Sequence, residues 1–168
     1  MFVAYSVGKW TQATCNEMFN KLFERLQLPF PENKIQLFSD GNDDYTYVIP
    51  NYYVDTCIDY GQLIKIRSKG KVIDKIKRPI YGNPNLMQIE TTNIENFNGI
   101  MRERIGRLVR KSKCYSKKRS RLENAIEFFQ FHWNFMHILK HKKSPGMIEN
   151  LSEHLWSWND FLLFHSAV

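Results

Sequence analysis

Apolar residues recur at three- and four-residue intervals through Met18, Phe19, Leu22, Phe23 and Leu26, which predicts an amphipathic helix over residues 14–28, stopped by Pro29 and Pro31. Before it, FVAYSV is a short apolar, aromatic and β-branched run that reads as a strand. After it, KIQLFSD reads as a second strand that ends at Asp40 and Gly41, where an apolar run gives way to a loop. Residues 45–60 are rich in tyrosine and leave helix and strand both open. QLIKIRSKGKVIDKIKR alternates around a Lys-Gly pair and predicts a β-hairpin turning at residues 68–71. YGNPN then breaks the chain at Gly82 and Pro84.

Beyond this turn the period changes. Ile94, Phe97, Met101, Ile105 and Leu108 fall on one face of a helix with Asn93 as its N-cap. Leu122, Ile126, Phe129, Trp133 and Met136 line a second helix over residues 121–140. KHKKSPG interrupts the pattern, and Leu151, Leu155, Trp158 and Phe161 or Leu162 mark a last amphipathic helix. Strand, helix, strand, hairpin and then helices predict an α/β arrangement, a sheet covered by helices. The length favours one principal domain, drawn as a core over residues 1–143 and a C-terminal helix over residues 144–168 packed on it.

Charge sharpens the picture. Residues 102–121 hold ten Lys/Arg against the single acid Glu103, a local +9 in a chain whose net charge is +7. The excess positive charge is therefore assigned to this one segment, the electrostatic footprint of contact with a phosphate backbone. The start of the chain lacks the pattern of a signal peptide, and no stretch of about 18 apolar residues occurs. A cytoplasmic protein without membrane partners is expected. Cys15, Cys57 and Cys114 lie far apart with no zinc-ligand or disulfide-framework spacing, and read as reduced thiols.

Two carboxylates stand where phosphoryl-transfer chemistry would want them. Such chemistry holds two divalent cations about 3.5–4 Å apart, one at the attacking and one at the leaving oxygen. Hard ions take oxygen ligands from Asp and Glu on different elements. Asp40 at a strand end and Glu95 in the first turn of a basic helix meet that demand, although turn formation and helix-dipole pairing explain each singly.

IENFNGIMRERIGRLVRKSKCYSKKRSRLENAIEFF resembles the segment around the last catalytic glutamate of DDE transposases of the insertion-sequence-one family. There an Ile-Glu-x-x-Asn helix start leads to an Arg-Leu-x-Arg-Lys run, a serine- and lysine-bearing segment and an amphipathic helix. FSDGNDDYTY resembles the family's strand ending in Asp-Gly, and FVAYSVGKWTQATCNEMFNKLFERL its second strand and following helix. The resemblance implies a ribonuclease-H-like mixed sheet flanked by helices, incomplete at the N-terminus, with a helical C-terminal part. It further implies Mg²⁺ (or Mn²⁺) dependence and cleavage and joining of double-stranded DNA at element ends and target, by a homo-oligomer on the DNA of a prokaryotic cell.

By position, Asp40 becomes the second catalytic aspartate and Glu95 the glutamate, with Glu90 as the alternative five residues earlier. Asn98 falls at the family's asparagine. Arg102, Arg107, Arg110, Lys111, Lys113, Lys117 and Lys118 would line the DNA. The family's first catalytic aspartate has no counterpart, since only Glu17, Glu24 and Glu32 precede Asp40 as carboxylates. The chain is therefore expected to be an incomplete catalytic core, inactive alone; the alternative is a noncatalytic DNA-binding remnant or regulator of transposition. His132, His137, His141, His154 and His165 show no metal spacing, and FFQFHWNF reads as core in preference to a base-stacking platform.

Overall fold

The computed structural model describes residues 1–26, 31–109, 113 and 115–164 of the chain. Contacts divide it into two compact units: Ala4–Ile100, and Met1–Val3 together with Met101–Val168. These units group the residues differently from the division at residue 143 drawn on sequence.

In the first unit, helix α1 (Gln12–Arg25) begins at Thr11, whose hydroxyl accepts from the Thr14 amide, and ends at an extended Leu26; residues 27 and 28 of the expected helix lie outside the described residues. Strand β1 (Ile35–Asp40) leads through helix α2 (Asp44–Val48) and two 3₁₀ turns to strand β2 (Ile58–Ser68). β1 and β2 are parallel, Ile35 opposite Ile58 and Asp40 opposite Leu63. Strand β3 (Lys71–Tyr81) returns antiparallel to β2, so the mixed sheet has the order β1-β2-β3. The hairpin turns where expected: Lys69 and Gly70 have φ of 47° and 79°, the two positive values that a two-residue turn matched to strand twist requires.

Strand alternation gives this sheet two different faces. One packs on α1 and α2 through Cys15, Phe19, Val48, Ile49, Tyr53, Ile58 and Tyr60, the core of the unit. The other carries Gln36, Phe38 and Asp40 of β1 beside Asp59, Gly61, Leu63 and Lys65 of β2. The segment before helix α3 (Thr92–Arg104) covers part of that second face. Ile89 is fully buried there, so close to the strand that a Cβ on Gly61 would sit 2.5 Å from its Cδ1. Ile58→Ala should cost about 2–5 kcal/mol in urea unfolding, because Ile58 is only 1% exposed at the centre of the larger face. Burial also pushes the Cys15 thiol up to about 11. Cys15 should therefore resist alkylation at pH 8 in the folded chain and react once the chain is unfolded.

Several expectations need correction. Residues 2–7 form no strand, since no described strand lies beside them. The amide side chains of the second unit replace one: Asn134 accepts from the Phe2 amide and donates to the Phe2 carbonyl, both at 2.8 Å. Gln130 donates to the carbonyls of Phe2 and Val3. Asn93 caps nothing; it lies within α3 and bonds Glu90, while Thr91 precedes the helix. No residue of α3 is fully buried and Ile94 is 54% exposed, but Phe97 and Met101 are half-buried and Ile105, just past the helix, is buried, so the predicted apolar stripe is covered only in part. The helix also stops at Arg104, because Ile105 turns extended.

The second unit is built on helix α4 (Arg119–Phe131), which widens into a π turn over His132–Met136 and ends at an extended His137, short of the residue 140 expected. The predicted last helix is two short ones, α5 (Pro145–Ile148) and α6 (Trp158–Leu163), with Leu151 and Leu155 outside both. α6 starts late because Ser157 and Asp160 form a reciprocal capping box there. Aromatic rings fill the space between: Phe131 meets Phe161 at 4.7 Å, Phe135 at 5.0 Å and Trp156 at 5.3 Å. Among the described residues, no helix is long and apolar enough to cross a membrane.

Candidate active site and basic surfaces

Asp40 closes β1 with an exposed side chain, and its Oδ1 accepts from the Asn42 amide at 3.4 Å. The loop that follows is anchored from beneath. Gln62, 1% exposed, donates through Nε2 to the Asn42 carbonyl at 3.1 Å and to the Tyr60 hydroxyl at 2.9 Å. That hydroxyl lies 2.7 Å from the Ser39 Oγ. Burial, and after it the charge of Asp40, pushes the neighbouring Tyr45 phenol up to about 12. Gln62→Leu would leave these partners unmet, and should lower stability by about 1–3 kcal/mol in denaturant titration.

Glu95 lies one turn into α3. Its Oε1 accepts from the Lys65 ammonium and, at 2.8 Å, from the Thr91 hydroxyl. The Lys65 bond, then the Thr91 bond, hold its carboxyl below the usual glutamate range. Lys65 sits on β2 two residues beyond Leu63, the partner of Asp40. The two carboxylates therefore address the same face of the sheet, Lys65 lying about 7 Å along β2 from the register position of Asp40. They do not share a hydrogen-bond partner among the described residues.

The stabilisation from Glu95 has a defined sign. Its pKa is lowered on folding, so the contribution is present above the unfolded value near 4.5 and fades as pH falls through the folded one. Glu95 is half exposed, which limits the pair to below about 1 kcal/mol. Glu95→Gln should thus barely move the urea midpoint at pH 7, and not at all well below pH 4.

Comparison with protein-family models, curated proteins and solved structures finds no match for this chain.

The remaining expected residues are dispersed. Asn98 is half-buried on α3, and Arg102 is half-buried in its last turn. Arg107 is exposed in a 3₁₀ turn, where its Nη1 donates to the Arg121 carbonyl at 2.6 Å. Lys113, Lys117 and Lys118 are exposed, while Arg110, Lys111 and Cys114 lie outside the described residues. Lys117, Lys118, Arg119 and Arg121 crowd the start of α4, which has no acid in its first turn. Cations at the positive end of a helix dipole repel it, and a phosphate there would relieve them.

One surface escapes the sequence reading. From Lys65 to Arg78 the hairpin holds seven Lys/Arg against Asp74 alone, a local +6, so the basic segment at residues 102–121 is not the sole positive region. Lys65 and Lys75 are direct cross-strand partners, an arrangement that costs stability between like charges. Residues Lys71–Pro79 of β3 are exposed throughout. The signal for this surface in the sequence is the density of Lys and Arg along the two alternating strands.

A metal ion would find donors of fitting chemistry here, though few. Asp40 offers an exposed carboxylate of the kind hard cations take. Glu95 offers another, once Lys65 is displaced from it. Among the described residues no three His, Cys, Asp or Glu side chains gather to hold a metal ion.

Proposed function

We propose that this chain is the larger part of a DDE transposase catalytic core, related to the insertion-sequence-one family, with Asp40 and Glu95 as two of its three metal-binding carboxylates. The observation that carries the reading is their placement: Asp40 ends a strand that crosses over to a parallel neighbour, and Glu95 opens a helix addressing the same sheet face. A ribonuclease-H-like arrangement accounts for that order. It also accounts for the outer edge of β1, which no described strand occupies and which could receive a strand bearing the missing aspartate.

Bound Mg²⁺ or Mn²⁺ would supply charge to activate the attacking oxygen and steady the leaving one. Asp40 and Glu95 would hold it. Gln62 fixes the loop after Asp40, and Thr91 orients the Glu95 carboxylate. Lys65 occupies Glu95 and keeps it ionised until a cation arrives. The hairpin and the segment at residues 102–121 would bind the backbone of double-stranded DNA. Lys65→Gln should therefore strengthen Mn²⁺ binding, read as water-proton relaxation, whereas Asp40→Ala should weaken it.

A second reading, a noncatalytic DNA-binding regulator, is favoured by Glu95 being engaged by Lys65 and by the lack of a third nearby carboxylate among the described residues. Mg²⁺-dependent cleavage of element-end DNA separates the two, using this chain alone and beside a version extended by an aspartate-bearing strand. Cleavage by the extended protein only supports the incomplete core. Binding without cleavage by either leaves the regulator.

A further inference from the structure

The aromatic run FFQFHWNF does not all go into the core. Phe129 is 8% exposed, but Phe128 is 51% exposed, and Trp158 of α6 stacks on it at 5.4 Å with 48% of its own surface open. Together with Trp133 and His137 they line a cleft of about 380 Å³ in the second unit. Its size falls within the range of small-molecule sites. The π turn helps to make it, because the widened backbone brings His132 and Trp133 to the cleft, where His132 stacks on Trp158 and Trp133 on His137. Single-turn π segments are frequent at functional sites.

The chemistry of the lining is one-sided. Flat rings form much of the wall, Arg104 and Arg107 also line it, and among the described residues no carboxylate does. Neither arginine forms an ion pair among the described residues. Arg107 spends one nitrogen on the Arg121 carbonyl and keeps other donors. Burial, and after it the charge interactions with His132 and Arg104, lower the His137 pKa and favour its neutral ring, a flat surface for stacking. A purely apolar partner would bury two unpaired arginine charges, and an acidic peptide would make no use of the rings. A planar group joined to a phosphate satisfies both.

We propose that this cleft takes one unstacked base of single-stranded DNA, with an adjoining phosphate held by Arg104 and Arg107. The inference deepens the DNA-processing reading and rests on it: strand breakage and joining leave bases near the cut without a stacked neighbour, and a base-sized slot beside a basic segment would hold one. Stacking needs no particular base, so the slot would fix the position of a strand end without reading its sequence.

The test compares three ligands on the full chain by tryptophan fluorescence: a thymidine oligomer of about twelve nucleotides, an abasic oligomer of equal length and charge, and a duplex. The thymidine oligomer should bind about tenfold more tightly than the abasic one, with quenching. Phe128→Leu keeps apolar bulk but removes the flat ring; it should erase most of that preference and leave duplex affinity unchanged. Equal affinity for the two oligomers would overturn the proposal while salt-dependent duplex binding kept the DNA reading intact. A preference that survives in Phe128→Leu would place stacking elsewhere and also overturn it. If neither oligomer nor duplex binds, both readings fall together.

Discussion

Glu95→Gln, made in a protein completed by an aspartate-bearing strand, should reduce strand cleavage and joining by about a thousandfold or more while duplex DNA affinity stays nearly constant. The size follows from losing a charged oxygen ligand where metal-borne charge stabilisation contributes several kcal/mol, each 1.36 kcal/mol being about tenfold in rate. The selectivity follows from the surroundings. Glu95 touches Lys65 and Thr91, and glutamine keeps its shape and can still accept from both. The fold should survive, so lost activity cannot be ascribed to unfolding. Glu90→Gln is the control: Glu90 is exposed before α3 and bonds only Asn93 among the described residues, so that change should leave activity intact. Full activity with glutamine at 95, or loss at 90 instead, would remove the site assignment.

Neutralising the hairpin should have the second largest effect. Changing Arg67, Lys69, Lys71 and Lys75 to glutamine removes four of the seven cations between Lys65 and Arg78. Each phosphate contact contributes about 0.9 to the slope of log affinity against log salt, so the slope should flatten by up to about 3.6. At low salt the affinity should fall by several orders of magnitude. Folding should be little affected, because the sites are at the exposed tip and Lys75 faces Lys65, a pair whose repulsion the change relieves. Neutralising Arg107, Arg110 and Lys111 should also flatten the slope, by less, since Arg107 already serves the Arg121 carbonyl. An unchanged slope in the hairpin variant would make that surface merely solvated.

Where an element carries its own instructions, the chain announces it. The α1 stripe and the Lys69-Gly70 turn are local signals, and both are present as expected. Asp40 at a strand end was legible for the same reason: an apolar run stops and Gly41 follows. What could not be read locally depends on distant partners. Residues 2–7 have strand composition, yet a strand forms only against another strand, and their backbone is met by Gln130 and Asn134 instead. Ile94 looks like a core residue by spacing, yet more than half of its surface stays exposed. Lys65 reaches Glu95 across thirty positions in sequence, which no motif reports. The π turn likewise breaks the 3.6-residue rhythm that made the aromatic run read as wholly buried.

The clasp between the first residues and α4 also sets a clock for synthesis. Phe2 finds its amide partners only when Asn134, 132 positions later, has been made and has left the ribosome. At about 5–20 residues per second that is a wait of roughly 7–26 s before the backbone of Phe2 can meet these partners. The first unit can close around its sheet well before then. The second cannot finish until the segment around Phe2 is returned to it, so a bulky insertion just before Phe2 should slow the last step of folding and spare the first.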